Sequence, residues 1–272
     1  MSDVPATALT ATAGTSRASL VPIIVVGVLA GFLAGLFGVG GGILIVPGLV
    51  LTAAMSQRLA HGTSLAAVLP ISVASLITYV AHDNVDWPVA LWLSIGAVVG
   101  AVIGTRLLVV LPLRTITIAF IVLTVASAIR LFIDVDATGR SELNVGTALT
   151  FVAVGLAAGI LAGLLGVGGG IIVVPAMILL VGIDPTIAKG TSAAMIIPTA
   201  IMGTWRNRRS HNADLRVALI VGIAGVVTAA LGAVLADRMD DDVSNVLFAV
   251  LLVLVAARLT WGLVSERGAA DG

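Results

Sequence analysis

The chain contains no cysteine. That excludes disulfides, thiolate metal sites and a cysteine nucleophile, and leaves the redox compartment undetermined. Histidine is nearly as scarce, with three scattered residues, so a metal cluster or a nucleophile–base set has little to be built from. Charged residues are 10% of the chain and cancel to a formal net charge of zero. Neither a basic face for nucleic acid nor an acidic tail for a soluble partner is present. All twelve aspartates and both glutamates fall in tails, loops or helix ends. No carboxylate therefore lies inside a long apolar run, where carriers of cations and protons often hold one, which disfavours a cation as ligand.

Two nucleotide motifs are also absent. The glycine-rich stretches run on into apolar residues instead of ending in Gly-Lys-Ser/Thr, which excludes a P-loop. The last glycine of a dinucleotide fingerprint is replaced by Ile43, and no ATPase motif is found elsewhere.

What the chain has in abundance is apolar surface. Hydrophobic residues are 59% of the sequence and its mean hydropathy is +1.19, more than one soluble core of this length buries. The apolar runs 20–51, 65–81, 89–111, 116–133, 145–181, 193–204, 217–236 and 246–264 do not alternate with polar residues, which excludes a β-barrel. The expectation is an all-α integral membrane protein in the cell membrane. Residues 1–19, rich in Ala, Thr and Ser, read as a disordered tail. A cleaved signal is disfavoured because the run after Arg17 has an internal copy after Arg140.

That copy is part of a duplication. Sliding the sequence by 128 positions places "GLFGVGGGILIVPGLVL" (35–51) on "GLLGVGGGIIVVPAMIL" (163–179). The register then holds through "GTS" at Gly62–Ser64 and Gly190–Ser192, Pro70 and Pro198, and Asp86 and Asp214. About eight transmembrane helices in two homologous four-segment repeats follow, 20–133 and 147–264, joined by the polar linker 134–146 and ended by a tail at 265–272. Internal repeats are the usual build of transporters, with the substrate site between them.

The first run of each repeat is too long for one crossing and must break, at Gly38 and Gly40–Gly42 in the first and at Gly166 and Gly168–Gly170 in the second. The expected form is a helix to about Phe37, an unwound turn, and a short helix from about Ile43 with Pro47, or Pro175, in its first turns. Two such helix starts facing each other present N–H groups and positive dipole ends to an anion. Glycines spaced by four, Gly27/Gly31/Gly35 and Gly96/Gly100/Gly104, read instead as close helix packing. Each "GTS" follows a basic residue, His61 or Lys189. The hydroxyls of Thr63 and Thr191, or of Ser64 and Ser192, are expected as N-caps of the following helix. The candidate substrate-binding residues are thus the two glycine turns, Pro47, Pro175, His61, Gly62, Thr63, Ser64, Lys189, Gly190, Thr191 and Ser192. No catalytic residue, metal or cofactor is expected.

The doubled "GVGGG" with "VP", each followed by "GTS", resembles the TauE/SafE sulfite-exporter family of membrane permeases, also called the toluene-sulfonate uptake permeases. The resemblance covers both repeats and implies transport of sulfite, sulfonates, sulfoacetate-like compounds or related organic anions, in either direction. The implied partners are the lipid bilayer and a small anionic substrate, with homo-oligomerisation left open. Alternatives are a non-transporting membrane assembly subunit and, less favoured, a membrane-embedded enzyme. Two topologies stay open: parallel repeats if the glycine-broken runs cross fully, inverted repeats if they double back. The balance of Lys and Arg, with "RNRRSH" (206–211) placed inside, does not choose between them.

Overall fold

The computed structural model describes residues 20–110, 113–131, 139–140 and 143–270. The tail 1–19 and most of the linker lie outside them. Among the described residues there is no strand. The chain forms α1 (Leu20–Phe37), α2 (Gly42–Thr52), α3 (Gln57–Ala81), α4 (Trp87–Val110), α5 (Leu113–Leu131), α6 (Val145–Leu165), α7 (Gly170–Val181), α8 (Pro185–Arg209), α9 (Leu215–Arg238) and α10 (Asp241–Ala270). The boundaries of α3 and α4 recur in α8 and α9 at the offset of 128. Each repeat therefore holds four long helices and one short one, the short one following a glycine break in the first segment.

Six of the long helices, α1, α3, α4, α6, α9 and α10, are long and apolar enough to cross a membrane by length and composition. Large apolar side chains such as Leu29, Leu91, Leu219, Ile223 and Val227 are exposed on their outer faces, which suits lipid contact. α3 and α8 sit at the centre, with most of their inner residues buried.

Both central helices begin earlier than the apolar runs 65–81 and 193–204. The Ser56 hydroxyl caps α3 by accepting from the Leu59 amide, and the Asp184 carboxylate caps α8 by accepting from Thr186 and Ile187. The Gly-Thr-Ser triplets consequently lie inside these helices, and the expected N-capping by Thr63, Thr191 or the serines does not occur. Small polar residues at the start of each helix are covered by the other repeat, so the helix outreaches its hydropathy signal.

Side-chain contacts fix the directions. A Cβ added to Gly27, Gly31 or Gly35 would strike Val221, Gly225 or Ala229, so α1 and α9 rise together. Gly155, Gly159 and Gly163 of α6 likewise meet Leu93, Ala97 and Ala101 of α4. Stripes of small residues let these backbones touch, as expected of glycines spaced by four. Between the central helices the order reverses: Gly203 packs on Leu65 and Gly190 on Tyr79, so α3 and α8 are antiparallel. The short helix α2 turns back along α1, with Gly41 against Ala30 and Gly48 against Val26, and Gly169 repeats this against Ala158. The glycine-broken run doubles back and the two repeats are inverted. Matching halves related in this way share an axis in the membrane plane.

Candidate functional site

The two glycine turns cross at the middle of α3 and α8. Gly38, Gly40 and Gly41 have φ of 66°, 81° and 75°, and Gly166, Gly168 and Gly169 have 68°, 89° and 86°. Side chains rarely adopt these angles, so the turn demands glycine. Gly42 and Gly170 have ordinary backbone and are glycine for another reason. A Cβ on Gly42 would collide with the Gly166 carbonyl, and one on Gly170 with the Gly38 carbonyl. Each short helix thus starts directly against the other repeat's turn.

The N-caps of these helices, Gly41 and Gly169, supply no side-chain hydrogen bond. The Gly41 carbonyl accepts from the amides of Leu44 and Ile45, and the Gly169 carbonyl from those of Ile172 and Val173. The amides of Gly42, Ile43, Gly170 and Ile171 have no acceptor among the described residues. Free amides and a positive dipole end are what an anion requires. Pro47 and Pro175 lie one turn further into α2 and α7, where each removes an intrahelical amide.

The Gly-Thr-Ser triplets hold this crossing together, and every one of their residues acts on the other repeat. Gly62 makes room for the Asn212 carbonyl and Gly190 for the Asn84 carbonyl. The Thr63 hydroxyl oxygen accepts from the Asp214 amide and that of Thr191 from the Asp86 amide, each at 2.9 Å. Asp214 in turn caps α9, and the Asp86 carboxylate accepts from Val89 at the start of α4. The Ser64 hydroxyl donates to the Gly166 carbonyl and the Ser192 hydroxyl to the Gly38 carbonyl, each at 2.8 Å.

His61 and Lys189 also come to the crossing. A Cβ on Gly166 would lie 2.9 Å from the His61 Cα, and one on Gly38 would lie 2.6 Å from the Lys189 Cα. Their side chains then diverge. His61 Nδ1 pairs with the Leu165 carbonyl at 2.6 Å, while Lys189 Nζ, fully buried, donates to the Ser244 hydroxyl of α10. Phe248, four residues on, stacks against Phe37 at the end of α1 with ring centroids 5.2 Å apart.

Two residues at the crossing, and a third one helical turn away, carry no signal as site residues in the sequence. Val68 and Ile196, repeat partners on α3 and α8, cover both turns. An added Cβ on Gly40 would lie 3.0 Å from Val68 and 3.3 Å from Ile196, and one on Gly168 3.6 Å from each. As branched apolar residues they read as ordinary core, and only their equivalent positions in the repeat single them out. Ser72, one turn beyond Val68, is 1% exposed and its hydroxyl has no partner among the described residues. Such a group is uncommon in a native interior.

The chain matches the family described as "Sulfite exporter TauE/SafE" twice, over residues 23–152 and 151–271. It is 26% identical over 267 residues to the "Probable membrane transporter protein YunE" of Bacillus subtilis, covering 89% of this chain and 98% of that one. A "Probable membrane transporter protein" of Xylella fastidiosa is 27% identical over 250 residues, covering 89% and 95%. One from Methanocaldococcus jannaschii is 26% identical over 232 residues, covering 77% and 84%. No solved structure gives a significant match.

Proposed function

The chain belongs to the TauE/SafE family and is a multi-pass membrane transporter, and we propose that it is a secondary permease for small oxyanions: sulfite, sulfonates, sulfoacetate or related organic anions. The observation that carries this reading is the pair of uncapped helix starts. The amides of Gly42 and Ile43 and of Gly170 and Ile171 converge from opposite repeats on one buried crossing, where backbone dipoles favour negative charge. Asp86 and Asp214, whose amides donate to the triplet threonines, sit at helix starts, and their carboxylates accept from the amides of Val89 and Val217. One turn along α3 from Val68, the Ser72 hydroxyl, which has no partner among the described residues, is a neutral donor within the same repeat. In this arrangement His61 and Lys189 flank the glycine turns, and the triplets act as the frame that holds the amides in place.

Inverted repeats supply the mechanism. Because the halves are equivalent, exchanging their conformations turns a site open to one side into a site open to the other. Here Val68 and Ile196 close over both turns, so a change in either central helix uncovers the amides. The basic end of α8, with Arg206, Arg208 and Arg209, shares a face with Arg58 and Arg216. Asp83, Asp184, Asp237, Asp240 and Asp242 lie on the opposite face. The positive-inside rule assigns the arginine face to the cytoplasm.

Counter-flow of labelled sulfite and sulfonates in proteoliposomes tests the reading. Saturable exchange is expected for oxyanions and none for cations of similar size. Absence of flux for every anion in the panel sinks it.

A further inference from the structure

The repeats match closely around the crossing and diverge at one informative pair. Tyr79 of α3 and Asn207 of α8 hold the same place in the repeat, and each lies beside the glycine of the opposite triplet, Gly190 and Gly62 respectively. The Tyr79 hydroxyl reaches on to the Gly35 carbonyl and donates to it at 2.6 Å. Gly35 is in the last turn of α1, where carbonyls lack an intrahelical donor. Asn207 is too short to do the same. It is 3% exposed, yet its Nδ2 has no hydrogen-bond partner among the described residues. Among the described residues nothing donates to the carbonyl of Gly163, the counterpart of Gly35. The Thr204 hydroxyl, three residues before Asn207, is also buried and without a partner among the described residues, whereas Thr199 of the same helix bonds back to Met195. Arg206 makes no ion pair among the described residues and is held through Nε by the Thr105 hydroxyl. By the repeat relation, an amide donor and an orphan carbonyl stand at opposite ends of a volume that a phenol fills in the other half.

We propose that this recess is a second oxyanion subsite, lying between the glycine crossing and the arginine face. It rests on the permease reading and adds where the anion pauses on one side only. Asn207 Nδ2 and the Thr204 hydroxyl donate to the anion's oxygens, and the Gly163 carbonyl accepts the proton of a singly protonated oxyanion. Buried donors left unpaired cost the protein stability, and an anion that meets them recovers that cost on binding. Tyr79 fills the equivalent volume on the opposite side, so the path there has no such stop.

The test uses the full chain in proteoliposomes with sulfite as the probe. An Arg140→Cys background reports orientation, since its single thiol lies on the face away from the arginines and is titrated with a membrane-impermeant reagent. Asn207→Tyr fills the recess in the way Tyr79 fills its counterpart, and Asn207→Leu keeps the volume without the donor. For both, the apparent KM for sulfite presented at the arginine face is expected to rise about tenfold, the loss of one hydrogen bond to a charged group, with KM at the other face unchanged. The sulfite-dependent rise in Tm in detergent is expected to shrink in parallel. Equal changes at both faces, or a change in Tm without sulfite and none in KM, make the recess a place for structural water and overturn the proposal. No saturable flux in the unsubstituted protein defeats the permease reading instead, and the subsite with it.

Discussion

The Ser64 hydroxyl donates to the carbonyl of Gly166 at 2.8 Å, tying the central helix of the first repeat to the glycine turn of the second. Ser192 returns the same bond to Gly38. The carbonyls so engaged belong to left-handed glycines at helix ends, where no intrahelical donor remains. Ser64→Ala and Ser192→Ala are each expected to cost about 1–3 kcal/mol, the penalty for a buried acceptor left unmet. Unfolding in detergent measures it, and two losses of similar size are expected from the matched geometry. A loss confined to one serine contradicts the equivalence of the two bonds.

The glycines separate into two kinds. Gly42→Ala and Gly170→Ala place a methyl group into the opposite repeat's backbone, which cannot retreat, so neither variant is expected to fold. A methyl group on Gly40 meets only the side chains of Val68 and Ile196, and one on Gly168 makes ordinary contacts with the Val39 carbonyl at 3.4 Å and with the same two side chains at 3.6 Å. Gly40→Ala and Gly168→Ala strain a positive φ by about 1–2 kcal/mol. These two are expected to yield folded protein with depressed flux, and Val68→Ala is expected to recover part of it in the Gly40→Ala background. Size-exclusion profiles and counter-flow on the same preparations decide. Full activity in Gly40→Ala reduces that glycine to packing.

Lys189 and Ser244 join α8 to α10 inside the protein. A double-mutant cycle of Lys189→Met and Ser244→Ala is expected to show coupling of about 0.5–3 kcal/mol in unfolding. Lys189→Met is also expected to weaken sulfite affinity, because the buried charge is carried by a residue whose backbone packs on the Gly38 turn, with Lys189→Arg retaining more of it. His61→Ala is expected to have the smaller effect on affinity, since a neutral imidazole contributes no charge. Unchanged affinity in Lys189→Met confines that lysine to holding α10.

Inversion of the repeats has a direct consequence for accessibility. Because the chain has no cysteine, single thiols introduced at Asp83 and Arg208 report without background. Impermeant reagents on intact cells are expected to label the Asp83→Cys protein and spare the Arg208→Cys protein until the membrane is opened. Labelling of both from the same side is incompatible with the antiparallel placement of α3 and α8 and with the assignment of faces.

Much of this fold is legible in the amino-acid order. Apolar runs of membrane length, a duplication held in one register at an offset of 128 positions and paired glycine breaks dictate an all-helical membrane protein of two repeats. They do so because hydropathy and backbone freedom are local properties, carried by the residues themselves. Other features depend on neighbours distant in the chain. Whether Ile43 continues across the membrane or turns back is decided by Gly41 and Gly48 meeting Ala30 and Val26. Thr63 and Ser64 look like helix caps, yet they lie within α3 and bond to Asp214 and Gly166 because the inverted repeat brings those groups over the helix. Tyr79 and Asn207 reveal nothing as isolated residues. Only the crossing of the repeats makes one a filled contact and the other an unpaired donor, since hydrogen-bond satisfaction is a property of three-dimensional neighbours.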